Sequence, residues 1–421
     1  MEHKIYPRYP LGNKSRAWRQ DNFVLSNFSA RASDMRKCLR NCRDAGFNTV
    51  EIGWATHEQA EQAVIYCEQE GLDLIFQDLS RYGGMQKYRH CQSDALSEVI
   101  REKRAYKRLI GYYIWDEPWK DDQLAAARSL TDECEREAPD LLPFTVAIPS
   151  YNPDDTWENG TFAAYLERYV TTINPPILSL DYYPVGLPGY TLEKQLDDSK
   201  LWLDLGCMKA LGEKYGLPLW FYYQGVDLHK AGYFTFPMIR SMMYAAVLYG
   251  CKGLQHFSAV GSIIDEHGNR EWAFEDQKSI HEEFRNLGGT LMALTSRRVI
   301  HDSSVDPDCE AYATMHQTEK DSAYLAGKLP RRASVAEFED GFGNGYIMIL
   351  NRDYEVAQTF ALPLNDAYRL YEVSKSDGCQ YVAAENTNEI HITLEKGDAV
   401  LYRIQPAADE AFTVEYRLIK G

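Results

Sequence analysis

No window of this 421-residue chain approaches the roughly 20 consecutive apolar residues that a membrane-spanning helix requires, so no membrane partner is expected. The first twenty residues carry charges and two prolines but no continuous apolar segment, and a secretory leader is not among them. Positive charge is in deficit, with 45 Lys and Arg against 62 Asp and Glu, a net charge of −17. That balance repels phosphate backbones and anionic bilayers, so nucleic acid is not an expected partner. Cysteine occurs nine times, an odd number, with no C-x-x-C pair, and H-E-x-x-H is missing. A structural zinc site and a zincin centre therefore lack their residues, and neither a metal nor an organic cofactor is expected. Cys38 and Cys42 fall on an apolar helix face with Met35, Leu39 and Ala45, as reduced core thiols do. This favours a cytoplasmic protein, unless a leader has been removed and replaced by Met1. Internal repeats and low-complexity tracts are also absent.

What remains is an ordinary globular composition, 45% hydrophobic and 25% charged, with an excess of aromatic residues: 29 Tyr and 8 Trp. Tyr and Trp are core material, and they also suit flat amphipathic ligands. Short β-branched and aromatic runs alternate with segments of 3.6-residue periodicity over the first 290 residues or so. The expected strands are Phe23–Ser26, Phe47–Trp54, Leu72–Phe76, Leu109–Trp115, Leu142–Ile148, Ile177–Leu180, Leu217–Tyr223 and Leu254–Phe257. Helix signals lie between them: Ser33 as a cap with Gly46 as a stop, a capping box at Thr56 and Gln59, and Gly71 as the next stop. Eight strand-then-helix units predict a (β/α)8 TIM barrel over residues 1–297, including an N-terminal arm. A doubly wound open sheet is the alternative, but no Gly-x-Gly-x-x-Gly follows the first strand to hold a dinucleotide.

From about Arg298 helical periodicity stops. Short strands are expected at Tyr346–Leu350, Ala357–Leu362, Tyr368–Val373, Glu389–Leu394 and Ala399–Ile404. Turns such as Gly343-Asn344-Gly345 separate them, which predicts a small all-β sandwich over residues 298–421.

The stretch Leu109 to Pro118 (Leu-Ile-Gly-Tyr-Tyr-Ile-Trp-Asp-Glu-Pro) organises the functional reading. Strand chemistry accounts for its first seven residues, but folding does not call for Asp116-Glu117 at the end, since acids are depleted in strands and costly to bury. The bland account is that the two acids start a helix, where they suit the dipole. In a parallel barrel, however, the carboxyl ends of the strands form the reactive face. Those ends offer Glu51, Asp78, Asp116 with Glu117, Asp181 with Tyr183, Gln224 with Asp227, and His256. Trp54, Trp115 and Tyr223 are expected at the same level. Aromatic rings beside carboxylates fit sugars, and hydrolysis of a glycosidic bond needs two carboxyl groups.

Ile114-Trp115-Asp116-Glu117-Pro118 resembles the Asn-Glu-Pro signature of the large clan of (β/α)8 glycoside hydrolases, and Asp181-Tyr182-Tyr183-Pro184 is similar to the Asp-x-Tyr-Pro of its β-galactosidase-like members. The trailing β-module, ending in Leu394-Glu-Lys-Gly-Asp-Ala-Val-Leu401, is similar to their accessory sandwich. The resemblance implies a carbohydrate substrate and Glu117 as general acid/base. The clan's nucleophile is a Glu at the end of strand seven, where this chain has Gln224, and Asp116 replaces the usual Asn. Three accounts stay open. Asp181, or next Asp227, supplies the second carboxylate, or the enzyme inverts with a more distant base, or the barrel binds sugars without cleaving them. A metal-dependent barrel lyase or isomerase using Glu51, Asp78, Asp181 and His256 is the remaining alternative. No feature fixes an oligomeric state.

Overall fold

A computed structural model describes residues 11–28, 32–85, 88–89, 93–152, 160–187, 199–302 and 319–408. Eight parallel strands alternate with eight helices: β1 (Val24–Phe28), α1 (Met35–Asp44), β2 (Thr49–Ile52), α2 (His57–Glu70), β3 (Asp73–Phe76), α3 (Ser93–Lys103), β4 (Leu109–Asp116) and α4 (Asp121–Glu137). Then follow β5 (Leu142–Val146), α5 (Phe162–Ile173), β6 (Leu178–Tyr182), α6 (Ser199–Tyr215), β7 (Leu219–Gln224), α7 (Phe236–Leu248), β8 (Gly253–Phe257) and α8 (Phe274–Ala293). Each strand pairs with its sequence neighbours, and β8 pairs back onto β1. The seam between β5 and β6 is closed by a single parallel bridge, Ala147 to Leu180, with the Ala147 N–H donating to the Ser179 carbonyl at 2.9 Å. Residues 24–293 form a closed (β/α)8 barrel.

Local chemistry sets the helix ends. The Thr56–Gln59 capping box forms as expected, and α2 stops at Gly71 in the left-handed region, φ +74°. For α1 the cap is Asp34 rather than Ser33, because its carboxylate accepts from the Lys37 N–H at 3.0 Å. The apolar faces then sort by strand parity. Residues such as Leu25, Leu74, Leu180 and Leu254 face the helices, where Cys38, Cys42, Cys67, Cys134, Cys207 and Cys251 are buried. The alternate set fills the barrel, with Phe28, Ile75, Tyr113, Phe144, Trp220 and Tyr222 in one cluster. The N-terminal arm packs Trp18 against that interior cluster, and Gln20 receives the Trp220 indole N–H at 2.9 Å.

The second unit has six antiparallel strands: β9 (Thr295–His301), β10 (Ala333–Glu339), β11 (Gly345–Asn351), β12 (Gln358–Val373), β13 (Gln380–Leu394) and β14 (Ala399–Pro406), in the order 9-10-11-14-12-13. The expected strands Ala357–Leu362 and Tyr368–Val373 are one element, β12, whose pairing with β13 shifts register between Pro363 and Tyr368. Past that irregularity β12 also pairs β14. The first half of the β12–β13 hairpin folds over the sheet, so Phe360, Leu362 and Ile390 share a core with Val335, Ile347 and Ile349. This gives the sandwich its two layers. The opposite face (Phe338, Tyr346, Met348, Leu401) is continuous with the core of the barrel's helix layer.

Candidate active site

β4 supplies the central carboxylates, and an irregularity aims them. Its register with β5 slips between Tyr113 and Trp115. Tyr113 points into the barrel, whereas Ile114 and Trp115 both pack in the helix layer. The slip returns Asp116 to the inside, where it accepts from the Tyr113 hydroxyl at 2.9 Å and from the Trp54 indole N–H at 3.1 Å. Glu117 follows in the left-handed region at φ +50°, as does Trp54 at +57°. Non-glycine residues held there are strained and cluster at functional sites. The Glu117 turn is held by its own N–H to the Val146 carbonyl at 3.1 Å, and by the Tyr165 hydroxyl, which donates to the Pro118 carbonyl and accepts from the Ile148 N–H, each at 3.1 Å.

Asp181 reaches the same place from β6. The carboxyl groups of Glu117 and Asp181 lie within hydrogen-bond reach of one another. Burial pushes Glu117 well above the usual carboxylate range, and the charges of Asp181 and Asp116 add to the rise, while part of its surface stays open to solvent. Asp181 is also raised, first by burial and then by the charge of Asp116, against the opposing hydrogen bonds from Glu117 and Tyr183. Two carboxyls in contact do not both ionise readily, so one proton is held between them. Asp116 is pushed up to about 6 by burial, opposed by its bonds from Tyr113 and Trp54.

Deeper in the barrel, Glu51 accepts from the Ser26 hydroxyl at 2.5 Å and from the Gln255 amide at 2.8 Å. Its second oxygen has no partner, and burial raises it to about 8, so it is mostly protonated at neutral pH. Tyr183 stacks on Phe257 at 4.8 Å, and Phe28 meets Trp54 edge-on at 5.1 Å, giving the mouth an aromatic lining. Six residues singled out in the sequence thus share one inward-facing group: Glu51, Trp54, Asp116, Glu117, Asp181 and Tyr183.

The others are placed elsewhere. Trp115, Tyr223 and His256, expected at the mouth, face the helix layer. Trp115 covers Gly84, where an added Cβ would lie 2.5 Å from its ring, Tyr223 accepts from Gln277 at 3.2 Å, and His256 bonds Ser262 at 2.9 Å. The reason is parity: Tyr222 and Phe257 take the inward positions beside Tyr223 and His256, and the slip in β4 turns Trp115 out. Asp78 points away from the barrel axis and bonds His57 at 2.8 Å and Ser80 at 2.5 Å. The proposed metal-ligand quartet Glu51, Asp78, Asp181 and His256 therefore does not converge, and among the described residues no group of three or more His, Cys, Asp and Glu is arranged to hold an ion. Asp227 accepts from the Ala231 and Gly232 N–H groups at 2.7 and 2.8 Å, closing a loop turn. Gln224 points inward, but its amide is spent on the loops after β6 and β7: it accepts from the Val185 N–H at 2.8 Å and donates to the carbonyls of Val185 and Val226 at 3.0 and 3.1 Å.

Sequence reading passed over Tyr113, Tyr222, Ser26 and Gln255. The signal for Tyr222 was present, since a residue two before an inward Gln224 shares its face.

No protein-family model and no curated protein sequence matches the chain. Solved structures that resemble it include a β-glucuronidase from an uncultured Clostridium (TM-score 0.45, 12% identity, covering 65% of this chain and 53% of that one). A GH2 β-galacturonidase from Eisenbergiella tayi bound to galacturonate aligns similarly (TM-score 0.45, 12% identity, 66% and 55%). So does a putative α-L-fucosidase from Bacteroides thetaiotaomicron (TM-score 0.44, 13% identity, 67% and 99%). The chain spans about half the length of the first two. Likeness at this level carries no argument about chemistry, which rests on the side chains described above. Among the described residues no helix is long and apolar enough to cross a membrane.

Proposed function

We propose that the barrel is a glycoside hydrolase that cleaves an O-glycosidic bond, with Glu117 as general acid/base and Asp181 as the second carboxylate. The observation that carries this reading is the Glu117–Asp181 pair, two buried carboxyls within hydrogen-bond reach of each other at the carboxyl ends of β4 and β6, both raised by burial. An acid that keeps its proton near neutral pH can give it to a leaving oxygen, and a base of matched strength can then take one from water. The Trp54, Tyr183 and Phe257 rings are suited to the C–H faces of a sugar, and Asp116 and Glu51 to its hydroxyls. No cofactor enters this chemistry. The test is turnover of a panel of 4-nitrophenyl glycosides by the full chain. Glu117→Gln is expected to lower kcat about 10²–10⁴-fold, the usual worth of a positioned proton donor, and an unchanged rate on every substrate cleaved by the parent rejects the assignment.

One observation favours a second reading, a barrel that binds sugars without cleaving them. Gln224 is neutral and cannot serve as a carboxylate nucleophile, and its amide is engaged with the loops after β6 and β7. Calorimetric sugar binding with no reducing ends released over days would establish it.

A further inference from the structure

The hydrolase reading leaves the task of Asp181 unspecified, and three observations define it. β7 ends in Gln224, whose amide is held on both sides, so no carboxylate stands there to attack a sugar. Asp181 touches Glu117 instead of facing it across a gap, whereas a carboxylate that forms a glycosyl ester stands roughly 5 Å from the acid to admit the anomeric carbon. The third observation is a pair of buried polar atoms with no partner: Asp181 Oδ1 and the Tyr222 hydroxyl, on side chains 6% and 2% exposed.

These two residues are direct register partners on neighbouring strands, Asp181 on β6 and Tyr222 on β7, and both face into the barrel. An ionised carboxylate oxygen can only accept a hydrogen bond, and a phenol hydroxyl can donate one. An acceptor beside a donor is the complement of an amide, which offers N–H and C=O together. Leaving both atoms buried and unpaired is costly, and a bound amide relieves the cost.

We propose that this site takes 2-acetamido-2-deoxy-β-glycosides, and that the substrate's own acetamido oxygen, not a side chain, is the nucleophile. The proposal rests on the hydrolase reading and deepens it. Asp181 Oδ1 accepts the acetamido N–H, and the Tyr222 hydroxyl donates to the acetamido carbonyl and orients it under the anomeric carbon. The carbonyl oxygen forms a bond to C1 as the C1–O glycosidic bond breaks, and the Glu117 proton passes to the departing oxygen, which leaves as an alcohol. The positive charge that develops on the amide is balanced by the Asp181 carboxylate. Water then attacks C1, its proton goes to the Glu117 carboxylate, and the bond from C1 to the amide oxygen opens. Net hydrolysis proceeds with retention, without oxidant, metal or co-reactant.

The test compares 4-nitrophenyl 2-acetamido-2-deoxy-β-glucoside and -galactoside with the parent β-glucoside and β-galactoside. An internal nucleophile is expected to give the acetamido series at least about a 100-fold higher kcat/KM. Replacing the acetyl group by trifluoroacetyl weakens the carbonyl as a nucleophile and should lower kcat about 10-fold or more. Faster cleavage of the parent sugars, or indifference to fluorination, overturns the proposal. If parent sugars are cleaved, Glu117→Gln still abolishes turnover and a 2-deoxy-2-fluoro glycoside labels Asp181, the hydrolase reading stands and the internal nucleophile falls. No turnover of either series overturns the internal nucleophile, and the hydrolase reading is then decided by the wider glycoside panel.

Discussion

Glu117 is the residue on which the proposed chemistry depends, and its neighbours account for its raised pKa. Burial and the charges of Asp181 and Asp116 all favour the protonated form. Glu51 shows the same physics in a position where stability can be measured. Its folded pKa, raised to about 8 by burial, lies above the roughly 4.3 of an exposed Glu. Below about 4.3 it is protonated whether the chain is folded or not. Between there and 8 the folded chain keeps a proton that the unfolded chain gives up, so stability falls as pH rises through that window. Glu51→Gln can still accept from Ser26 and Gln255 and has no proton to lose. Thermal melts should therefore show the variant more stable than the parent at pH 8, by on the order of a few kcal/mol, with the difference vanishing near pH 4. A constant difference across the range would contradict the assignment. Glu51, Asp116, Glu117 and Asp181 were all legible in the sequence, because acids at strand ends have no folding reason to be there. Tyr223 and His256 were misplaced by one residue each, because alternation fixes which face a residue shares only once one inward position on the strand is known.

At the scale of elements, the slip in β4 and the clamp at the end of β7 decide what reaches the mouth. The slip cannot be read from Leu109 to Pro118, since a bulge follows from how β4 and β5 register in three dimensions. It turns Trp115 outward and Asp116 inward, reversing what strict alternation gives. Of the two β-module strands that the sequence left unassigned, β9 carries Thr295, Arg297 and Arg298 on its exposed and half-buried positions and β10 is buried at all but Glu339, so neither shows clean alternation, and the irregularity in β12 made one strand look like two. Gln224 occupies the place of an absent carboxylate, yet its amide binds both the N–H and the C=O of Val185. Gln224→Glu would replace two donated bonds by a charge facing two carbonyls. Thermal unfolding should show a loss of about 2–4 kcal/mol, and turnover should not rise. A variant of parental stability and higher activity would show that β7 awaits a nucleophile.

The whole molecule is two folding units with one shared core. Phe338, Tyr346, Met348 and Leu401 of the β-module belong to the same apolar cluster as the barrel helices. Asn286 donates to the Lys375 carbonyl at 2.8 Å, and Arg240 to the Lys396 carbonyl at 3.1 Å, across the same junction. The alternating βα pattern and the change near Arg298 made both units legible, while their joint core was not, because the sequence does not say which face of a sheet is covered. Calorimetry of the full chain should give one transition, and residues 1–294 alone should aggregate through the uncovered apolar face. Two well-separated transitions would mean the units are independent.

The proposed chemistry rests on one proton held between Glu117 and Asp181. Infrared difference spectroscopy of the parent against Glu117→Gln at neutral pH observes it directly. A buried carboxylic-acid carbonyl band present in the parent and lost in the variant is the predicted result, and superimposable spectra in the carboxylic-acid region would contradict it.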